Sequence, residues 1–196
     1  LSNYNIHGWT ITNQQGNYME EINKNSKCII DIETSDYLPW NGSRIICIGI
    51  LDLSTKTKHV FHSENEIALI SSFLEYFNKK RFNIIIGYNI AYDIRFLFSR
   101  CLKYNKKASI LLNAKRIDIM KILTLSDREN NFNKPGKLGE WSYYLFKKTT
   151  RYKNGSVKSI YSKGMIEEII AHNYRDLDLT FLLWKRIEEV MVGDVC

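Results

Sequence analysis

The sequence predicts an α/β fold, a mixed sheet of about five strands in which an antiparallel meander is followed by parallel strands, flanked by helices. Three observations carry that expectation. Apolar runs at Lys27 to Glu33, Arg44 to Leu51 and Lys58 to His62 are joined by short polar links, as in a meander. The continuous apolar run Asn83 to Tyr88 is followed at once by a stretch with helical periodicity, which is half of a parallel crossover. A long amphipathic stretch from Met165 to Val192 closes the chain.

Each element has a local reason. In Lys27 to Glu33 the apolar residues Cys28, Ile29 and Ile30 lead into Asp31 and Glu33, so the strand ends in carboxylates. Arg44 to Leu51 (RIICIGIL) is apolar throughout, and Asp52 to Thr57 is a polar turn into the third strand. From Glu64 to Lys80, Ile67, Ile70, Phe73, Leu74 and Phe77 recur at helical spacing, with Ser63 as the expected N-cap. From Ala91 to Tyr104 the stripe is Ile94, Leu97, Phe98 and Cys101. Lys115 to Ile119 adds a fifth strand, with a helical stretch to Leu125. Ser126 to Gly136 is polar, ends in Pro135 and Gly136, and is expected to be a mobile loop. A short helix spans Leu138 to Phe146, and Asn154-Gly155 marks a hairpin over Thr149 to Tyr161. The final helix carries Ile169, Leu177, Phe181 and Trp184 on its apolar side.

Residues 27–192 are expected to form one domain, preceded by a polar, Asn-rich lead-in at 1–26 with a short strand near Trp9 to Thr12. A basic loop and hairpin at 126–163 decorate it. The hydrophobic share of 44% and charged share of 25% suit a chain that buries a core. The longest apolar runs, such as Leu179 to Trp184, fall far short of the ~20 residues that cross a bilayer, so no membrane partner is expected. Cys28, Cys47, Cys101 and Cys196 form no C-x-x-C pair, which points to reduced thiols and an intracellular protein, cytoplasmic or nucleoid-associated.

The net charge of +7 is unevenly spread. Arg95 to Lys163 holds 17 Lys or Arg against 4 acids, and the remainder holds 11 against 17. That asymmetry favours a polyanion docked on one side, although a solvated basic face would look the same.

Asp31 and Glu33, two apart on a strand, point to one face, and two like charges that close call for a divalent cation or for open water. Asp93 follows the strand Asn83 to Tyr88, where ligands gather in α/β sheets, but an aspartate also suits a helix N-terminus for its own sake. Tyr174 and Asp178 lie one turn apart on the last helix, with Leu177 and Phe181 flanking the carboxylate.

Taken together, these residues resemble the DEDD exonuclease superfamily, in particular the branch with tyrosine in its third motif and the proofreading exonuclease domain of family B DNA polymerases. The first motif is Asp31-Ile32-Glu33-Thr34, the second Tyr88-Asn89-Ile90-Ala91-Tyr92-Asp93, and the third Tyr174-Arg175-Asp176-Leu177-Asp178. Arg116-Ile117-Asp118-Ile119-Met120 and Lys137-Leu138-Gly139-Glu140 keep the expected order, and the likeness runs from Cys28 to Ile187. The histidine branch requires His-x4-Asp, and the fifth residue after His172 is Leu177. Tyr174 with Asp178 is therefore the assignment, and His172 with Asp176 the lesser alternative.

The resemblance implies a ribonuclease-H-like fold and a metal-dependent 3′-to-5′ exonuclease that uses two divalent cations, Mg²⁺ or Mn²⁺. Asp31 would bridge two ions about 3.5–4 Å apart, with Glu33 and Asp178 at one and Asp93 at the other. Because a tyrosine phenol has a reference pKa near 10 and is a poor base at neutral pH, Tyr174 would orient the attacking water rather than deprotonate it. The partner implied is nucleic acid, single-stranded DNA 3′ ends in the first place. Thr34, Tyr88 and Asn89 would line the terminal nucleotide, and Arg116, Lys147, Lys148, Arg151 and Lys153 of the basic segment would follow the strand. Two alternatives stay open: the proofreading part of a larger polymerase or replication protein, and an inert nucleic-acid-binding module of the same fold.

Overall fold

The computed structural model describes residues 5–6, 9–10, 26–124, 136–148 and 156–192. Strands β1 (Asn5–Ile6) and β2 (Trp9–Thr10) pair antiparallel. The main sheet comprises β3 (Lys27–Thr34), β4 (Ile45–Asp52), β5 (Lys58–His62), β6 (Ile84–Gly87) and β7 (Lys115–Asp118). Its order is β5-β4-β3-β6-β7. The meander β3-β4-β5 is antiparallel, while β6 and β7 run parallel to β3. Strand β3 is thus central, and the C-terminal ends of β3, β6 and β7 open on one side of the sheet.

Helices α1 (Glu66–Lys80), α2 (Ile90–Lys103) and α3 (Ser109–Asn113) cover one face. Cys28, Ile30 and Ile32 of β3 point there, against Phe73, Phe77, Ile94 and Leu97. Alternation sends Ile29 to the opposite face, where it packs with Leu177, Leu183 and Trp184. That second layer holds α4 (Ile119–Thr124), α5 (Leu138–Phe146), α6 (Val157–Ser162) and the long α7 (Ile166–Val192). Because side chains alternate, Asp31 and Glu33 share the face of Ile29 and look toward α7.

The first layer is locked by a buried ionic knot. Glu66 accepts from Ile45 N at 2.7 Å, from Arg100 Nε at 2.9 Å and from the Tyr104 hydroxyl at 2.6 Å, and Arg100 Nη2 also contacts its carboxylate. Burial opposes the Glu66 charge, but these donors outweigh it and hold the carboxyl below its ordinary range.

Four local expectations change. Helix α1 is capped by Asn65 rather than Ser63: the Asn65 side chain accepts from Ile67 N at 3.0 Å and Ala68 N at 3.2 Å. Ile67, assigned to the buried stripe, is exposed, because the stripe centres on Leu69, Ile70, Phe73 and Phe77. Phe96, left out of the α2 stripe, is wholly buried. The second half of the expected hairpin is helix α6, where Ser156 caps Ser159 N and Ile160 is buried against Ile46, Cys47 and Ile169. Apolar burial at helical spacing overrides the β-branched composition there. The first half of that hairpin and the expected loop at 126–135 lie outside the described residues. Cys28, Cys47 and Cys101 are buried free thiols. Among the described residues no helix is long and apolar enough to cross a membrane.

Candidate metal centre

The site lies where the end of β3, the first turn of α2 and the middle of α7 meet. Strand β3 delivers Asp31 and Glu33 to the α7 side. Helix α2 starts at Ile90 after Asn89, whose φ of 59° turns the chain sharply, and Asn89 N donates to Asp118 Oδ1 at 2.9 Å. This turn aims the first helical turn at the neighbouring strand, so that Asp93 Oδ1 accepts from Ile32 N at 3.0 Å. Asp93 is therefore anchored to the backbone of the residue that separates Asp31 from Glu33.

Helix α7 supplies the opposite wall. Its buried stripe runs through Ile169, His172, Asn173, Leu177, Thr180, Leu183, Trp184 and Ile187. At about 100° per residue, Asp176 lies roughly 40° from the centre of that stripe and Asp178 roughly 160° from it. The contacts follow that phase. His172 Nδ1 is 3.0 Å from Glu33 Oε1 and 3.5 Å from Asp176 Oδ2. Ligand atoms of Glu33, His172 and Asp176 all lie within 4.8 Å of one another. Asn173, 0% exposed, donates through Nδ2 to Asp31 Oδ2 at 2.7 Å and to the Asp31 carbonyl at 3.0 Å.

This close approach depends on Gly49. It lies directly across from Asp31 in the β3-β4 register. A Cβ there would stand 2.0 Å from Asn173 Oδ1 and 3.0 Å from Leu177 Cδ1. Only a residue without a side chain lets α7 press onto the sheet at this level.

The electrostatics are those of crowded, buried carboxylates. Burial pushes the Asp31 carboxyl well above its ordinary range, and Asp176, Glu33 and Asp93 push it further. Asp93 is also raised, by burial above all, despite its backbone donors. Asp176 is raised to about 7, by burial first, with His172 and Arg175 opposing and Glu33 adding. Asp176 Oδ1 is buried without a hydrogen-bond partner. Carboxylates crowded in this way, with a buried oxygen left over, suit divalent cations. Among the described residues, Glu33, His172 and Asp176 bring ligand atoms close enough to share an ion, and Asp31 and Asp93 stand near enough to act on this cluster electrostatically.

Two residues expected here lie elsewhere. Asp178 points to the β5 edge, where Lys58 Nζ meets both of its oxygens at 2.8 Å, and its side chain is 55% exposed. Tyr174 is exposed on the same side, its ring 5.4 Å from Lys58 Nζ. The assignment of Tyr174 and Asp178 to the cluster is corrected: the helix presents the earlier pair, His172 and Asp176, to β3. The expected nucleotide contacts divide as well. Thr34 follows Glu33 at the mouth, and its Oγ1 shares a 2.9 Å hydrogen bond with the Tyr92 hydroxyl. Tyr88 spends its hydroxyl on the Gly136 carbonyl, and the backbone of Asn89 serves the turn already described. Arg116 donates to the Leu112 carbonyl at 3.2 Å, while Lys147 caps α5 with a φ of 57° and Lys148 follows it. Arg151 and Lys153 lie outside the described residues. Asn173, Gly49 and the exposed aromatics Tyr37 and Trp40 just beyond Thr34 were not anticipated. The phase of the α7 stripe was the signal that could have found Asn173.

Residues 43–137 match the family model for the exonuclease domain of DNA polymerase family B. That stretch includes Asp93 but neither the end of β3 nor α7. The chain is 30% identical over 170 residues to the uncharacterized protein MJ0365 of Methanocaldococcus jannaschii, covering 82% of this chain and 94% of that protein. Among solved structures it resembles the family B DNA polymerase of the hyperthermophilic archaeon Pyrobaculum calidifontis, with a TM-score of 0.68 and 14% identity. The match covers 85% of this chain and 25% of the polymerase chain. The five-stranded mixed sheet with flanking helices is thus the ribonuclease-H-like exonuclease fold of family B polymerases.

Proposed function

This chain belongs to the family of the uncharacterized protein MJ0365 of Methanocaldococcus jannaschii, and from that premise we propose that it is a metal-dependent 3′-to-5′ exonuclease acting on single-stranded DNA ends. The observation that carries the reading is the crowding of acids at the end of β3: Asp176, Glu33 and Asp93 each push the buried Asp31 carboxyl upward, and Glu33 and Asp176 share one cluster with His172. The match to a polymerase exonuclease domain supports the same reaction class.

Bound divalent cations supply Lewis acidity, activating water and neutralising charge on the leaving 3′ oxygen. The protein's own part is to aim and hold. Asn173 donates to the Asp31 carboxylate and to its backbone carbonyl, which holds that side chain against α7, and the Ile32 amide fixes Asp93. Both carboxylates therefore keep their geometry without waiting for an ion, which is the preorganisation phosphodiester hydrolysis needs. Beyond Thr34, Tyr37 and Trp40 expose their rings and offer stacking faces that accept any base. Arg95, whose guanidinium lies 5.9 Å from the Tyr92 ring, adds positive charge at the same mouth. Residues 27–192 act as one exonuclease unit in this scheme, and a role beside a polymerase follows only from the family resemblance.

The test is hydrolysis of a 3′-overhanging, 5′-labelled DNA oligonucleotide in Mg²⁺ or Mn²⁺, read as a ladder shortening from the 3′ end. Asp176→Asn is expected to reduce the rate by about 10³-fold, the scale of losing a principal electrostatic contact. Asp178→Asn should remain within about twofold, as a surface ion pair allows. Equal losses in the two variants, or no shortening in the native chain, overturn the proposal.

A further inference from the structure

We infer that His172 is a metal ligand and that the cluster Glu33, His172 and Asp176 takes a first-row transition ion of the Mn²⁺ class in preference to Mg²⁺. The inference rests on the proposed hydrolytic centre and adds to it a nitrogen donor and a choice of ion.

The first argument is the spacing of the donors. Ligands bound at about 2.1 Å stand about 3.0 Å apart when adjacent on an octahedron and about 3.4 Å apart on a tetrahedron. His172 Nδ1 is 3.0 Å from Glu33 Oε1 and 3.5 Å from Asp176 Oδ2. The same nitrogen therefore addresses both carboxylates at separations that suit ligands sharing one ion. The contact between Glu33 and His172 joins residues 139 positions apart, so local chain geometry does not impose it, whereas Asp176 lies one turn along the same helix as His172.

The second argument is the chemistry of the donors. Mg²⁺ favours oxygen and gives up its water reluctantly, whereas imidazole suits transition ions. The His172 side chain is 8% exposed and that of Glu33 10%. An ion that reaches both must shed much of its hydration, which disfavours Mg²⁺ further. Asp176 turns Oδ2 toward the imidazole at 3.5 Å and keeps its other oxygen, Oδ1, buried without a hydrogen-bond partner. A simple histidine–carboxylate ion pair would account for the 3.0 Å contact to Glu33. It would leave that Asp176 oxygen stranded.

The experiment uses the full chain freed of metal. Calorimetric titration with MnCl₂ and, separately, MgCl₂ is expected to show at least about tenfold tighter binding of Mn²⁺. Electron spin-echo modulation of bound Mn²⁺ should carry the signature of one directly coordinated ¹⁴N. His172→Gln should erase that signature and weaken Mn²⁺ by about 10–100-fold, while Mg²⁺ changes by less than about threefold. The native spectrum decides even if the variant does not fold. Bound Mn²⁺ without nitrogen modulation, or equal affinity for the two ions, overturns the inference. If oligonucleotide hydrolysis in Mg²⁺ accompanies either result, the exonuclease reading stands and only the ligand role falls. If nitrogen-coordinated Mn²⁺ appears but no ion supports hydrolysis, the ligand role stands and the exonuclease reading falls.

Discussion

The α1-α2 face and the α7 face both bury carboxylates, and they do so in opposite ways. On the α1-α2 face, Glu66 is met by Arg100, Tyr104 and the Ile45 amide, so its charge is fully answered within the protein. On the α7 face, Asp31, Glu33, Asp93 and Asp176 meet chiefly one another, with His172 and amide donors between them. The first arrangement stabilises the fold on its own. The second raises the energy of the metal-free protein and is relieved only by something brought from outside, which separates a structural charge cluster from a functional one.

The largest expected effect breaks the structural cluster. Arg100→Met leaves Glu66 buried and unpaired, at a cost of about 3–5 kcal/mol in urea unfolding. Asp31→Asn, measured in the same way with EDTA present, should leave stability unchanged or raised, because it removes one of several repelling charges. The Asn173 amide still finds an oxygen to donate to in that variant. If Asp31→Asn destabilises the metal-free chain as much as Arg100→Met does, the two clusters are not different in kind.

A smaller effect sharpens the comparison at the seam of the α7 face. Gly49→Ala would put its methyl carbon 2.0 Å from the present position of Asn173 Oδ1, and should cost about 1–3 kcal/mol by overpacking. Adding Asn173→Ala makes room, so the double variant should lose clearly less than the sum of the two single losses. Strict additivity in urea melts would show that Gly49 and Asn173 do not meet as described.

Most of this architecture is legible in the sequence because the apolar periods are strong. The continuous isoleucines at 84–86, the alternation in β3 and the spacing of Phe73 and Phe77 each admit one reading, and the structure follows them. The ends of β3 and β6 likewise bring Asp31, Glu33 and Asp93 together. The α7 contribution was harder for a physical reason. Asp176 and Asp178 stand on either side of Leu177, about 100° away in opposite directions, so that residue alone does not say which faces the sheet. Ile169, Asn173, Thr180 and Trp184 decide it, but Asn and Thr do not read as apolar in a sequence. Their polarity is explained by the site: Asn173 is buried because Asp31 needs a donor. The α6 segment misled for a related reason. Its valine, isoleucine and tyrosine suit a strand, and only the pocket left by Ile46, Cys47 and Ile169 makes a helix the better way to bury Ile160.

The smallest effect lies in pH. Asp176 titrates at about 7 in the folded chain against an ordinary value of 3.8. Between those values the folded, metal-free chain binds more protons than the unfolded one, so stability falls as pH rises and levels off above about 7. Asp31 and Asp93, raised in the same direction, extend the decline upward. Asp52 behaves in the opposite sense. Although burial opposes its charge, Ser54, Lys80 and the neighbouring amides hold it at about 2, so its stabilisation is present above about 4 and lost as pH falls toward 2. In EDTA, the thermal midpoint should therefore decline by a few degrees from pH 5 to pH 7.5, and Asp176→Asn should flatten that slope without touching the acid limb set by Asp52. Saturating Mn²⁺, which binds the deprotonated cluster, should reverse the slope. A midpoint that rises with pH in the metal-free chain would mean that the α7 carboxylates are already compensated within the protein, as Glu66 is.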